Sequence, residues 1–206
     1  MEPLTVQWVL MVLFAFVIAN TVHEFSHALA ATALGDDTPR REGRLTINPI
    51  DHLDPLGTAI VVISALMGGL FGWGRPVPVN ASNFRNPRAG LAITTAAGPA
   101  SNLVLAAICA GCLRTNALHL PFGSPYATLL WVGVQLNLVL CLFNLIPVPP
   151  LDGARILASV LPESASRAYI GFMNQFGMIA VMLVMFGGWY LIAGPLQLLG
   201  GILLGH

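Results

Sequence analysis

Four apolar stretches, at about 5–34, 89–113, 126–146 and 168–193, are each near or above the ~20 residues that cross a bilayer as helix. They leave the chain few other ways to fold. Only 9% of the 206 residues are charged, against roughly 25% in soluble domains, so most of the exterior faces lipid rather than water. Lipid offers backbone groups no hydrogen bonds, and helices satisfy their own. The expected fold is an all-α polytopic membrane protein of about four transmembrane helices, with residues 1–206 forming one domain. The first run continues for about thirty residues without a small-residue cleavage site, and reads as a retained span rather than a signal peptide.

The charged residues are nine arginines and nine acids with no lysine, giving zero formal charge and no polybasic strip for nucleic acid. Cys109, Cys112 and Cys141 lie inside apolar runs. Leu, Val, Ala and Ile flank them and stabilise no thiolate, so the C-x-x-C of Cys109 and Cys112 reads as packing. Leu56 to Trp73 is apolar and about 18 residues long, but ends in Gly68, Gly69, Gly72 and Gly74, which weaken a membrane helix. Before it, Asp36 to Pro55 is the most polar stretch, and Gly43 to Asn48 alternates like a short strand, predicting a β-hairpin-like loop near 43–48. A second polar loop, Gly74 to Arg88, carries Pro76, Pro78 and Pro87. The tail from Pro195 to His206 is too short to span, and is expected to lie on the membrane or pack against the bundle.

Chemistry concentrates in the first span, as His23-Glu24-Phe25-Ser26-His27. Residues i and i+4 share a helix face, so two imidazoles can grip one Zn²⁺ while Glu24 reaches water beside it. Three titratable groups within five residues are a costly way to build an intramembrane core. Zinc with three protein ligands and one open position is the hydrolytic pattern, lowering the pKa of bound water toward ~7. A third ligand is needed. Of Glu2, Asp36, Asp37, Glu42, Asp51, Asp54, Asp152 and Glu163, only Asp152 closes a membrane helix, after a run in which three prolines can unwind the backbone and aim a carboxylate inward. The alternative for Asp152 is a plain cap of the helix that follows.

His-Glu-Phe-Ser-His in a membrane helix, followed by Asn144-Leu-Ile-Pro-Val-Pro-Pro-Leu-Asp-Gly153, resembles the site-2 protease family of intramembrane zinc metalloproteases. The resemblance extends to Gly43-Arg-Leu-Thr-Ile-Asn-Pro-Ile-Asp-His-Leu-Asp-Pro-Leu-Gly57, Gly74-Arg-Pro-Val-Pro-Val-Asn80, Asn83-Phe-Arg-Asn-Pro-Arg88 and Ala97-Gly-Pro-Ala-Ser-Asn102, and is to the compact branch without PDZ or CBS modules. It implies that His23, His27 and Asp152 ligate one zinc, that Glu24 is the catalytic base, and that Asn144 holds substrate or the oxyanion. The implied activity is hydrolysis of a peptide bond in or near a transmembrane segment of a membrane-protein substrate, with any regulation supplied by a separate protein. The competing reading is a catalytically silent relative that sequesters membrane proteins, which gives the acid Glu24 no task. A zinc transporter wants ligands along a path, and a serine protease wants a G-x-S-x-G that is absent.

One metal requires its ligands within about 2 Å, so His23, His27 and Asp152 share a depth and an even number of crossings separates the first span from Asp152. A full crossing at 56–73 gives three; re-entry gives two. With re-entry the arginines divide eight to one, Arg114 alone on the far side; with a full crossing they divide five to four. The positive-inside rule favours the first division, predicting a re-entrant or peripheral 56–73 and an active site toward the cytoplasmic face, and the resemblance to the compact bacterial-type branch implies that the membrane is a bacterial plasma membrane.

Substrate must unwind locally before attack, because a helix hides its carbonyls. Gly43 to Asn48 is expected either to receive the unwound segment by strand addition or to act as a plain connector. His52 reads as a solvated loop histidine rather than a partner of the metal site. Asn102 and Asn137 read as interhelical amides, Asn102 bordering the cavity. Ala97 and Gly98 read as sites of close helix packing, and His119 and His206 receive no role.

Overall fold

The computed structural model describes residues 6–115, 119–121 and 123–205, so Glu2 and His206 lie outside it. In chain order its helices are α1 (Val6–Ala33), α2 (Thr38–Arg41), α3 (Pro55–Leu66), α4 (Pro87–Arg114), α5 (Pro125–Asn144), α6 (Asp152–Val160) and α7 (Glu163–Leu204), with 3₁₀ turns at Pro49–Asp51 and Ala81–Asn83. Three helix starts share one device, a proline at the first helical position behind a side-chain cap. Asp54 accepts from the Gly57 N–H, Asn86 from Ala89 and Ser124 from Ala127. A proline there sacrifices a donor that would be orphaned anyway.

The helices α1, α4, α5 and α7 are each long and apolar enough to cross a membrane, matching the four predicted spans. Among them α5 is the most buried, with a core on each side. Val132, Leu136 and Leu140 pack with Val12, Phe16 and Ala19 of α1 and Val61 of α3. Val134 and Leu138 pack with Ala106 and Ala110 of α4 and Val184, Ile192 and Leu196 of α7. α7 is the least buried span and turns Met178, Leu183, Phe186 and Tyr190 outward, as suits lipid. It also runs further than its predicted 168–193 span. The tail continues the helix to Leu204 and packs on the bundle, where Arg114 donates to the carbonyls of Ile202 and Leu203 near the helix end.

With 12 residues, α3 is about 18 Å long at the helical rise, well short of the ~30 Å hydrocarbon core. Gly68, at φ +78°, turns the chain back, and the return ends where Gly74 bridges Leu53. The segment 56–73 thus leaves and re-enters at one point, as the parity argument requires. The return is close-packed: a Cβ on Gly57 would lie 2.1 Å from the Trp73 carbonyl oxygen, and one on Gly72 2.1 Å from Val61.

The expected β-hairpin near 43–48 is not formed. Local bonds claim this backbone: the Arg44 N–H donates to Pro39, the Asn48 N–H to Thr46 Oγ1 and the Ile50 N–H to Asn48 Oδ1. Gly43 takes a left-handed turn, and Arg44 points into the protein with only 5% exposure. The polar–apolar alternation therefore marks a loop with one buried cation, and strand addition at 43–48 has no strand to build on.

Candidate metal centre

α1 presents His23, Glu24 and His27 inward, all buried. α5 ends at Asn144, and the turns that follow, with a cis Pro149–Pro150 bond, bring the chain to Asp152 at the first position of α6. The N-cap position of α6 is Leu151, not Asp152, and the Asp152 carboxylate faces the two histidines. Three contacts seat this stretch. Tyr169 Oη donates to the Pro147 carbonyl (2.9 Å), Ser166 Oγ donates to Ala158 (2.7 Å), and Arg88 donates from α4 to the carbonyls of Ser159 and Leu161.

The imidazoles are oriented from behind. His23 Nδ1 donates to Asn102 Oδ1 at 2.6 Å, and the Asn102 amide is itself fixed by donating to Asn137 Oδ1 (2.9 Å) and the Ala19 carbonyl (3.3 Å). His27 Nδ1 donates to the Thr94 carbonyl at 2.8 Å. Pro99 lacks an N–H, so the ladder of α4 misses its rung to Thr95, beside that carbonyl. Gly98 lets α4 approach the rings, since a Cβ there would lie 2.4 Å from His27 Nε2 and 2.7 Å from His23 Cε1.

Both Nδ1 hydrogens being committed, the two Nε2 atoms and Asp152 Oδ2 turn lone pairs toward one another. They form a triangle with sides of 3.1, 3.2 and 3.3 Å. Asp152 Oδ2 is buried without a donor. Three acceptors with no hydrogen among them repel one another, and a cation between them would remove that repulsion. Ligand bonds of about 2.0–2.1 Å in a tetrahedron give edges of about 3.3–3.4 Å, close to the triangle observed.

Glu24 is 7% exposed, and its Oε2 accepts the Val77 N–H at 3.0 Å from the loop after the re-entrant segment. It lines the same cavity of about 630 Å³ as the triangle. Leu70, Phe71, Trp73, Val139 and Val184 give that cavity apolar walls, and Asn144 and Arg155 add polar ones. Asn144 Nδ2 donates to the Leu140 carbonyl (3.0 Å). The volume lies within the usual range of ligand sites.

Comparison with known proteins identifies the family. The profile described as peptidase family M50 matches residues 118–186, which include Asn144 and Asp152. A Bacillus subtilis (strain 168) protein named "Putative zinc metalloprotease YwhC" is 41% identical over 177 residues, 82% of this chain and 77% of the relative. The chain belongs to peptidase family M50, the site-2 proteases. Two further relatives, each named "Putative zinc metalloprotease Rip2", come from Mycolicibacterium smegmatis (30% identical; 85% of this chain, 66% of the relative) and Mycobacterium tuberculosis strain H37Rv (31%; 87% and 70%). No solved structure matches the chain. Zinc is the cofactor on which the M50 relatives and the donor set agree.

Several parts of this M50 site were not legible beforehand. The Val77 N–H is a backbone group in a loop, and no side chain announces it. Gly98 was read as a packing glycine, and what it packs against is the histidine pair. His52 is fully buried rather than solvated, with Nε2 against the Thr46 carbonyl at 2.7 Å, and it does not line the cavity. His119 is outside the cavity too.

Proposed function

We propose that the protein is an intramembrane zinc metalloprotease that hydrolyses a peptide bond in or near a transmembrane segment of another membrane protein. The observation that carries this is the triangle of lone-pair atoms with Glu24 beside it, at an apolar cavity among membrane-length helices. His23, His27 and Asp152 would hold the zinc, which supplies Lewis acidity for the scissile carbonyl and for water. Glu24 takes a proton from the attacking water and delivers it to the leaving nitrogen. The Val77 N–H fixes one Glu24 oxygen, leaving the other free for that exchange. Asn144 still has an unspent amide hydrogen to offer substrate or the oxyanion.

A substrate helix has its carbonyls engaged and must unwind to present one. The cavity's apolar walls suit a stretched hydrophobic segment. The paired ends of the re-entrant segment keep 36–55 and 74–88 on one face, where eight of the nine arginines gather. That supports a cytoplasmic-facing site in a bacterial plasma membrane.

Glu24→Gln tests the reading. The variant should keep stoichiometric zinc in detergent and lose cleavage of a reporter transmembrane substrate by ~100-fold or more, the scale of general-base catalysis. Undiminished cleavage removes Glu24 from the mechanism, and a purified protein without zinc removes the metalloprotease.

A further inference from the structure

Arg44 is a guanidinium buried at 5% exposure on the polar face of a membrane protein, and neither the metal nor the cavity uses it. Burying a cation is costly unless it is bonded. Its two terminal nitrogens both donate to backbone carbonyls of one loop, Nη1 to Pro76 at 2.9 Å and Nη2 to Arg75. The next residue of that loop, Val77, gives its N–H to Glu24. On the other side of Val77, Asp36 is fully buried and Oδ2 accepts the Asn80 N–H at 2.7 Å. Asp36 Oδ1 is anchored by Thr38 Oγ1 (2.6 Å) and Asn83 Nδ2 (2.7 Å), and these bonds hold its carboxyl below the ordinary range even though burial pushes it up.

The loop is thus gripped by a buried cation before Val77 and a buried anion after it, and between the grips it contributes one donor to the site. Pro76 and Pro78 stiffen it and, having no N–H of their own, leave Val77 the sole donor among residues 76–78. Residues before proline are held extended, which fixes the direction of that N–H further. The residues doing the gripping come from segments before the re-entrant hairpin, 32 and 44 residues distant from their partners. So long-range a pair of contacts is not what a loop needs merely to turn.

We propose that Arg44 and Asp36 are positioning residues for Glu24. They set the Val77 N–H, and through it the rotamer of the carboxylate that handles the protons. The inference rests on Glu24 being the base. Effects of order 10- to 100-fold follow from misplacing a catalytic group by about 1 Å.

Wild-type and Glu24→Gln proteins are assayed first, so that failure of the base assignment is seen by itself. Arg44→Gln, Asp36→Asn and Val77→Pro should then each lower kcat on the reporter substrate about 10- to 100-fold, with KM and zinc content unchanged and with Arg44→Lys recovering part of the loss. Hydrogen exchange of the 74–80 peptide should quicken in Arg44→Gln while peptides of α1 keep their protection. Combining Arg44→Gln with Val77→Pro should be no slower than Val77→Pro alone, because both act through one hydrogen bond. Wild-type kcat in Val77→Pro, or losses in the double variant that multiply, overturn the proposal. So does a deficit in Arg44→Lys and Asp36→Asn that follows loss of zinc or of folding, since that is a staple and no more.

Discussion

Asn102 shows how much a single amide can decide. Its Oδ1 takes the His23 Nδ1 hydrogen, which leaves Nε2 as a bare lone pair aimed at the triangle. Replacing it with Leu removes the acceptor, frees the ring to rotate or change tautomer, and leaves Asn137 Oδ1 without its donor. Loss of such a supporting partner typically weakens metal binding 10- to 100-fold. Asn102→Leu should therefore give up zinc to a competing chelator at 10- to 100-fold lower chelator concentration while the helices stay folded by circular dichroism. Gly98→Ala is expected to be harsher. The new methyl would stand 2.4 Å from His27 Nε2 and would have to displace the ring or α4. Purified Gly98→Ala should contain substoichiometric zinc, and retained stoichiometric zinc would show that α4 can yield there.

At the scale of elements, legibility followed the length of the periodic signal. Long apolar runs admit one solution in lipid, and α1, α4 and α5 begin and end within about two residues of expectation. His23 and His27 were legible for the same reason, since a helix carries i and i+4 on one face. Asp152 could be suspected from chain chemistry because prolines end a helix visibly. Short signals failed. Six residues of alternation at 43–48 suggested a strand, yet a strand needs a partner ladder, and Ser, Thr and Asn side chains that bond their own backbone compete with one. Helix α3 lay between these cases: apolar like a span, but interrupted by glycines whose purpose appears only when the return segment lies against it. Gly57→Val should wedge Trp73 away from α3, since even a Cβ comes within 2.1 Å of the Trp73 carbonyl. Trp73 and Phe71 wall the cavity, not the metal. The expected result is faster proteolytic nicking at 67–74 and a raised KM, with zinc retained. Lost zinc would mean that the re-entrant segment supports the ligands directly.

For the whole molecule, two independent constraints meet in one topology. The ligand triangle joins α1 to the start of α6, so the number of crossings between them must be even. The re-entrant segment closes on itself through Leu53 and Gly74, which leaves α4 and α5 as those two crossings. Charge was not used in that count, yet it sorts the arginines eight to one. The exception, Arg114, ends α4 beside the carbonyls of Ile202 and Leu203, so its position on the far side has its own use in closing α7. Once Cys109, Cys112 and Cys141 are replaced by Ala, single cysteines at the exposed Glu42, at Val79 and at Thr115 can report this arrangement in intact cells. Impermeant maleimide added outside should label only Thr115→Cys, with Glu42→Cys and Val79→Cys reacting after the membrane is opened. Labelling of Glu42→Cys and Val79→Cys from opposite sides would require a third crossing between α1 and Asp152. The two histidines and the carboxylate could not then share an ion, because a full hydrocarbon core of about 30 Å would separate them.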